Sequence, residues 1–106
     1  MLQRALPIED DTELHRALRK GRVRRGTVVI LGVERELTIA QLASRLRVER
    51  NLVVCAIMGD GRKFREAFAL GRLGIIRWVW RTSGWSVSLT PRGLELAAKL
   101  ATGWDP

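Results

Sequence analysis

The sequence has little of the chemistry on which small enzymes and metal proteins depend. It contains one cysteine, Cys55, one histidine, His15, and no tyrosine. A single cysteine cannot form a disulfide within the chain, and one histidine leaves no cluster with the spacing of metal ligands. No carboxylate pair, catalytic triad or phosphate-binding loop stands at usable spacing either. We therefore predict that the protein is not an enzyme, carries no cofactor or metal, and has no evident small-molecule ligand.

Long apolar runs are also missing. None approaches the roughly 20 residues of a membrane-spanning helix, and residues 1–11 carry three acidic residues where a signal peptide would be apolar. We therefore expect a cytoplasmic protein without membrane contact. A chain of 106 residues suffices for one hydrophobic core. We expect a lead-in and helix at 1–21 that could serve dimerisation, one domain at 22–102, and a tail at 103–106.

Acidic residues are outnumbered by basic ones. Nineteen Lys and Arg face 11 Asp and Glu, a formal net charge of +8, and residues 37–81 hold nine basic and three acidic residues. Sixteen of the basic residues are arginine, whose planar guanidinium binds phosphate and the guanine edge with two hydrogen bonds. This charge favours a nucleic-acid partner. GC-rich codons or a thermophilic host would produce the same arginine bias.

The first third of the chain holds one predicted helix and one ambiguous segment. Thr12 is an N-cap candidate for a helix over 13–20, which Gly21 ends. The segment 22–32 is rich in β-branched residues, which favours a strand by propensity alone. Its apolar residues nevertheless share one face of a helix. They are Val23, Thr27, Val28, Ile30 and Leu31.

Two short helices separated by a tight turn are predicted next. Thr38 is the N-cap of an amphipathic helix within 37–46, a turn covers 47–50, and a second helix runs from about 51 to 58. Two helices joined by a turn of three to four residues form a helix-turn-helix. The inward faces hold Ile39, Leu42, Ala43 and Leu46 in the first helix and Val53, Ala56 and Ile57 in the second.

The next part of the chain contains glycines that interrupt a helical pattern, followed by two segments in which apolar and polar residues alternate. Gly59 and Gly61 interrupt the helical pattern, a basic helix is predicted over 62–73, and a glycine ends it. Alternating residues at 75–81 and 85–89 flank a Thr-Ser-Gly turn and predict a β-hairpin.

A last helix is predicted from Pro91 to about Thr102, because Thr90 is a good N-cap and proline suits the first helical position. Its apolar surface is wider than a single core contact needs, so we expect it to meet the N-terminal helix across a two-fold axis. The alternative is that both faces close over the chain's own core. The residues expected at this dimer interface are Leu94, Leu96, Ala97, Leu100 and Ala101 of the last helix and Leu14, Ala17 and Leu18 of the first.

The motifs LTIAQLASRL (37–46), LGIIRWV (73–79) and SLTPRGLELA (88–97) resemble the winged-helix transcriptional regulators of archaea and bacteria. The stretch at 48–76 is similar to that of a group of small archaeal predicted regulators. The resemblance implies an α+β winged helix-turn-helix fold with a three-helix core, a β-hairpin wing, and flanking N- and C-terminal helices. It also implies that 22–32 is a helix. These motifs are folding signatures, so they imply function only by analogy.

In such a domain the recognition helix lies in the major groove with its N-terminal residues over the base edges. Arginine there can bind guanine and asparagine can bind adenine, although both could instead cap the helix. We expect Glu49 to cap the helix or to orient Arg50. The predicted DNA-binding residues are Arg47, Arg50, Asn51, Val54, Arg62, Lys63, Arg65, Arg77 and Arg81.

Several of these assignments have a structural alternative. Val54, Cys55 and Met58 are apolar where a recognition helix is usually polar, which fits contact with thymine methyl groups or cover by another protein surface. We expect Cys55 to be a packed residue rather than a nucleophile. The basic residues after the glycines could contact phosphate or form a solvated face. We expect the wing residues Trp78, Trp80 and Trp85 to pack inward, because stacking on single strands would require them to be exposed beside basic residues.

Taken together, these features predict a sequence-specific double-stranded DNA-binding transcriptional regulator that forms a homodimer. The first alternative is a winged helix that contacts protein within a transcription or chromatin assembly, favoured by the apolar residues of the recognition helix. A second alternative, binding of RNA or single strands, depends on the tryptophans.

Overall fold

The computed structural model of the protein describes Leu18, residues 21–59 and residues 69–103. Over these residues three helices, a small sheet and a closing helix follow one another. In chain order they are α1 (Arg22–Glu34), β1 (Glu36–Thr38), α2 (Ile39–Leu46), α3 (Arg50–Met58), β2 (Ile76–Arg81), β3 (Gly84–Leu89) and α4 (Pro91–Ala101). The predicted helix at 13–20 lies outside the described residues except for Leu18.

The segment 22–32, for which strand propensity and helical spacing gave different predictions, lies in the helix α1. Thr27, Val28 and Leu31 are buried on one face, and the Thr27 hydroxyl donates a hydrogen bond of 2.7 Å to the Val23 carbonyl oxygen. That bond satisfies a buried polar group inside the helix, and burial of the face outweighs the weak β propensity of its residues. Arg24 is buried as well, and burial lowers the pKa of its guanidinium.

The helix-turn-helix begins with a capping box. The Gln41 amide donates to the Thr38 hydroxyl at 3.2 Å, and the Thr38 amide donates to the Gln41 side chain at 2.9 Å. Two of the first-turn amides therefore have partners that the sequence itself supplies. The turn at 47–49 then leads into α3, as predicted.

The sheet has three antiparallel strands in the order β1-β3-β2. The hairpin of β2 and β3 was predicted, and Trp80 pairs with Trp85 next to its turn. The strand β1 was not predicted, because three residues are too few to show an alternating pattern. It exists because the central strand β3 offers a free edge, along which Leu37 pairs with Val87.

The core lies where α1, α2 and α3 meet the inward face of the sheet and α4. Leu18 also belongs to this core. A Cβ atom added to Gly32 would lie 2.8 Å from the Cβ of Ala97, so α1 and α4 approach closely. The buried apolar residues are Leu18, Val28, Leu31, Leu37, Leu42, Ala43, Val53, Ile57, Leu70, Ile75, Ile76, Val87, Leu89, Leu96 and Ala97.

The segment before the wing differs from the prediction of one helix over 62–73. Residues 60–68 lie outside the described part, and residues 70–74 form turns rather than a regular helix. The amide of Leu70 donates to the Ala56 carbonyl at 3.0 Å and that of Gly71 to the Ile57 carbonyl at 2.9 Å. These bonds use carbonyls that the end of α3 leaves unpaired. The chain thus returns to the end of α3 before it enters β2.

The start of α4 is anchored to the base of the wing. The Gly93 amide donates to the Thr90 hydroxyl at 3.1 Å, and that hydroxyl is itself bonded to the carbonyls of Gly74 and Ile75. Gly74 has a φ of +74°, a conformation that glycine adopts without strain. Among the described helices, none has the length and apolar character needed to cross a membrane.

Candidate nucleic-acid interface

The turn of the helix-turn-helix depends on a left-handed residue. Arg47 has φ 58° and ψ 47°, and its amide donates to the carbonyls of Ala43 and Ser44. The next amide, of Val48, donates to the Ala43 carbonyl at 3.0 Å. This arrangement ends α2 and turns the chain into α3, but it is usually formed by glycine because a side chain in the left-handed region is strained. Arg47 therefore places an exposed side chain at the turn, and its left-handed backbone conformation costs stability that a glycine there would not lose.

The helix α3 buries one face and presents the other. Val53, Ala56 and Ile57 are buried, as predicted from spacing. Arg50 and Asn51 are exposed at its N-terminal end.

The apolar residues of α3 do not form one continuous exposed face. Cys55 is buried, which agrees with its prediction as a packed residue, and Val54 is half-buried. Met58 alone of the three is widely exposed, with 57% of its surface accessible. The apolar part of the exposed face therefore consists of Met58 and the accessible part of the Val54 side chain.

The N-terminus of α3 is open to a ligand. Glu49 occupies the N-cap position, but its side chain makes no capping hydrogen bond, so the prediction that Glu49 caps the helix is wrong. The first amides of a helix have no partner within the helix and carry the positive end of its dipole. The Leu52 amide donates to the Glu49 carbonyl at 3.1 Å, but the Glu49 side chain gives the first amides no acceptor, so the amides of the first turn can donate hydrogen bonds to an anionic group such as a phosphate.

On the wing, the two predicted arginines have different surroundings. The exposed Arg77 donates to the Ser88 hydroxyl at 3.2 Å. Arg81 forms a two-bond pair with the Glu36 carboxylate, at 2.9 and 2.6 Å, and the Ser86 hydroxyl donates to the same carboxylate at 2.7 Å. Glu36, Ser86 and Arg81 thus connect all three strands. We call them the sheet triad.

The sheet triad was not recognised from the sequence. Its members are separated by up to 50 positions along the chain, and Glu36 lies on the strand that local patterns did not reveal. The Arg81 hydrogen bonds and the Ser86 hydrogen bond lower the pKa of Glu36 to about 2. Arg81 is consequently engaged in orienting the wing. Arg77 lies on the same face of the hairpin, where it adds to the lowering of the Glu36 pKa, and its side chain is exposed.

The depressed pKa of Glu36 makes part of the stability dependent on pH. Because the folded value lies below the unfolded value near 4.5, the stabilisation is complete above about pH 4.5 and is lost as the pH falls towards 2. We expect Glu36→Gln to be less stable than the wild type at pH 7 and to lose less stability below pH 4.5. Thermal melts across this pH range measure both effects. Equal acid sensitivity of the two proteins would contradict the role of the triad.

The three wing tryptophans are not packed inward. Trp78, Trp80 and Trp85 expose 38%, 63% and 55% of their surfaces, so the predicted burial is wrong. The alternation was assigned correctly, because they lie on the same face as the buried Ile76 and Val87. The hairpin extends beyond the core, and its inward face becomes exposed towards the turn.

The predicted dimer surface also changes. Leu18, Leu96 and Ala97 are buried in the core of their own chain, because α1 and α4 pack closely. Leu18 and Leu96 are therefore not available to a partner, Ala97 keeps only a small accessible edge in the groove between α1 and α4, and Leu14 and Ala17 lie outside the described residues. What stays accessible is a shallow groove of about 230 Å³ between α1 and α4. We call it the α1–α4 groove, and its apolar lining consists of Val29, Gly32, Val33, Leu94, Ala97, Ala98 and Ala101.

Three predicted phosphate contacts cannot be placed. Arg62, Lys63 and Arg65 lie outside the described residues. Of the other predicted residues, Arg47, Arg50 and Asn51 are brought together at the turn and the start of α3, while Arg77 and Arg81 lie on the wing. Within the described part of the chain, no three His, Cys, Asp or Glu side chains are grouped so that they could hold a metal ion.

Comparison with known proteins identifies the family. The model of the EarA-like family matches residues 14–100, which is most of the chain. The chain belongs to the EarA-like family. Comparison of this EarA-like chain with curated protein sequences gives no significant match.

A solved structure similar to this EarA-like protein is a mutant of Lactococcus lactis ZitR in its apo form. The two chains share 19% sequence identity and superpose with a TM-score of 0.64, over 96% of this chain and 71% of the other. Similarity at this level of identity concerns the fold alone. The predicted winged helix-turn-helix fold is confirmed, and the archaeal part of the resemblance stays a prediction.

Proposed function

We propose that this EarA-like protein is a sequence-specific double-stranded DNA-binding transcriptional regulator. The observation that supports this most is the helix-turn-helix, in which α3 buries one face and projects Arg50 and Asn51 from its open N-terminal end. An exposed helix with these side chains fits the major groove, where donors and acceptors identify each base pair. The net charge of +8 supplies the attraction to a polyanion.

Base readout is assigned to the start of α3. Arg50 can donate two hydrogen bonds to guanine, and Asn51 can form the corresponding pair with adenine. Val54 and Met58 follow on the accessible side of the helix and can contact thymine methyl groups. This assignment gives the apolar residues of α3 a role in DNA recognition.

Backbone contacts are assigned to residues that flank α3. Arg47 at the turn and Arg77 on the wing are exposed, and each can meet a phosphate. Arg62, Lys63 and Arg65 remain predicted phosphate contacts from their charge and position in the sequence. Arg81 was also predicted, but its pair with Glu36 assigns it first to holding the wing.

Replacement of Arg50 tests the proposal most directly. We expect Arg50→Ala to weaken binding to a selected duplex by about 5- to 150-fold and to relax the preference at one base pair, because a two-bond contact with guanine is lost. Selection from a random duplex pool followed by fluorescence anisotropy measures both effects. Arg22→Ala is a matched control, because it removes an exposed arginine at the start of α1 that lies outside the turn and outside the lining of the α1–α4 groove. Unchanged affinity and unchanged preference in Arg50→Ala would reject the recognition helix.

The strained turn allows a second test in which stability and binding change in opposite directions. We expect Arg47→Gly to raise the free energy of unfolding by about 0.5–1 kcal/mol, since relief of the left-handed strain exceeds the chain entropy that glycine adds. The same change should weaken duplex binding and lower the slope of log affinity against log salt by about 0.9. Chemical denaturation and a salt titration measure the two effects.

Arg35→Gly is the matched control for this experiment. Arg35 also has a positive φ, of 72°, but it lies at the end of α1 rather than in the turn before α3. Because Arg35 also lines the α1–α4 groove, the comparison is made at protein concentrations at which both variants are dimers. There we expect the control to be stabilised while its duplex affinity stays unchanged. If Arg47→Gly binds duplex as tightly as the wild type, Arg47 has no phosphate contact.

We also propose that the protein acts as a homodimer, in the cytoplasm where a bacterial or archaeal chromosome is found. The α1–α4 groove carries exposed apolar side chains, of which Val33 is 78% and Val29 43% accessible. Its small residues would let a second copy approach closely, and a symmetric pair would place two recognition helices on neighbouring half-sites. We expect Val33→Glu to convert a dimer of the 12.0 kDa chain to a monomer in sedimentation equilibrium, while Arg50→Ala stays dimeric. A wild-type monomer at high micromolar concentration would reject the dimer.

The second candidate function is a winged helix that binds a protein partner through α3. It is favoured by the exposure of Met58 beside the half-buried Val54. The two functions differ in their response to Met58→Lys. On DNA the added cation should offset the lost contact with a thymine methyl group, so that overall duplex affinity is kept, whereas it should abolish binding to an apolar protein surface.

A further inference from the structure

The tip of the wing carries an exposed aromatic cluster that duplex recognition by α3 does not use. Trp80 and Trp85 form the last cross-strand pair before the turn pair Arg81–Gly84, and Trp78 lies two residues nearer the core. A strand advances about 3.3 Å per residue, so Trp80 stands roughly 13 Å from the buried Ile76. The cluster therefore projects away from the body of the protein. We call Trp78, Trp80 and Trp85 the tryptophan tip.

The arrangement of the three indoles leaves ring faces open. Trp85 contacts Trp80 with ring centroids 4.9 Å apart and an interplanar angle of 62°, and it contacts Trp78 at 6.4 Å and 83°. In an edge-to-face contact, one ring covers a single face of the other. Two such contacts occupy two of the six indole faces. The accessible fractions of 63% for Trp80 and 55% for Trp85 show that much of the remaining surface meets solvent.

Stabilisation of the hairpin does not account for this cluster. A cross-strand aromatic pair stabilises a hairpin by about 0.2–1 kcal/mol, and the pair of Trp80 with Trp85 supplies that contribution. A third exposed indole, at Trp78, adds apolar surface that the fold does not cover. Contiguous exposed apolar surface on a small protein marks a binding site.

The charges of the hairpin indicate the chemistry of its ligand. Residues 76–89 contain two arginines, no aspartate or glutamate, and four serine or threonine residues. Both arginines lie on the face opposite the indoles, where Arg81 is paired with Glu36, and the turn beside the tip carries the exposed hydroxyls of Thr82 and Ser83. Exposed aromatic faces beside hydroxyls, on a chain with a net charge of +8, suit nucleotides, because each unpaired base offers a π-face and each nucleotide carries a negative charge. A fully paired duplex hides its base faces in the stack, so it cannot use the indoles. Unpaired nucleotides can.

From this juxtaposition we infer that the tryptophan tip stacks on unpaired bases, so that the protein binds a duplex with a melted segment more tightly than a fully paired one. The inference rests on the proposed function, since α3 holds the paired part while the wing reaches the unpaired part. Stacking of one base on an indole changes affinity by about fivefold or more. Because stacking releases no counterions, the preference for melted DNA should persist as salt weakens both affinities.

Fluorescence anisotropy with three labelled DNAs tests this inference. The DNAs are a fully paired duplex, the same duplex with a central mismatched segment, and the single strand. The wild type should bind the mismatched duplex at least about fivefold more tightly than the paired one. Trp80→Ala should abolish this preference and leave the affinity for the paired duplex unchanged. Trp80→Phe, which keeps a smaller aromatic face, should retain most of the preference.

The outcomes separate the inference from the proposed function. If the wild type binds no duplex, the proposed function fails; if it binds duplex in an Arg50-dependent way but shows no preference for mismatched DNA, only the inference fails. Equal loss of both affinities in Trp80→Ala also overturns it, as does Trp80-dependent binding to phosphatidylserine vesicles without a preference for mismatched DNA.

Tryptophan emission of the wild type provides a readout independent of variant folding. Quenching by the mismatched duplex and not by the paired one supports stacking, and equal quenching overturns it.

Discussion

Gly93→Ala is expected to destabilise the protein by about 2–3 kcal/mol, which lowers the melting temperature by roughly 10–20 °C. A Cβ atom at this position would collide with the backbone carbonyl oxygen of Ile75 and approach Leu89 at 3.1 Å. The carbonyl cannot move away, because it accepts hydrogen bonds from the Thr90 amide at 3.0 Å and the Thr90 hydroxyl. Thermal unfolding followed by circular dichroism measures the effect.

Gly26→Ala provides the matched control for this measurement. A Cβ atom at Gly26 would also meet a neighbour, but that neighbour is the end of the flexible Leu46 side chain, which can rotate. The gain in helix propensity inside α1, about 1 kcal/mol, offsets part of the remaining cost. We expect a change of less than about 1 kcal/mol. Equal destabilisation by the two substitutions would show that the carbonyl contact does not determine the need for glycine at position 93.

Raising the salt concentration from 50 to 200 mM is expected to weaken duplex binding by about 10³-fold. Each phosphate that an arginine neutralises contributes about 0.9 to the slope of log affinity against log salt. The exposed Arg47 and Arg77, together with one of the predicted phosphate contacts Arg62, Lys63 and Arg65, provide three such groups in each protomer, or about six in the proposed dimer. Anisotropy titrations at several salt concentrations measure the slope, and binding that does not depend on salt would reject a phosphate interface.

The wing supplies the control for the salt experiment. Arg77→Ala should reduce the slope, because its guanidinium is free to meet a phosphate beyond its single bond to the Ser88 hydroxyl. Arg81→Ala should reduce it less, because Glu36 already neutralises Arg81. Since loss of Arg81 also frees Glu36, this variant should lose stability. If both variants reduce the slope equally, the Glu36 pair opens when DNA binds.

Most of the fold could be predicted because its signals are local. Thr38 and Thr90 each begin a helix by bonding to an amide three residues later, which their own position in the chain makes possible. The inward faces of α2 and α3 follow from spacing alone. The fold of 22–34 as a helix is different, since its β-branched residues favoured a strand and only burial against the sheet and α4 decided in favour of the helix.

The candidate site was less predictable because its properties depend on neighbours that are distant in sequence. The residues at the start of α3 could be assigned from the order of the elements. The missing capping bond of Glu49 has a local reason, since helix N-caps favour the short side chains of Ser, Thr, Asp and Asn over the longer Glu. Alternation placed Trp78, Trp80 and Trp85 on one face but did not show how far the core extends beneath them.

What the sequence by itself determined is therefore the succession of helices, turn and hairpin, together with the positive charge that the middle of the chain carries, because capping, periodicity and composition act over a few residues. The tertiary structure alone decided that β1 joins the sheet, that Glu36 engages Arg81, that Arg47 holds a strained conformation, and that the tryptophan tip is exposed. Each of these depends on which surfaces meet after the chain has folded. Local sequence patterns cannot predict such contacts, because the partners are brought together only by the packing of the whole domain.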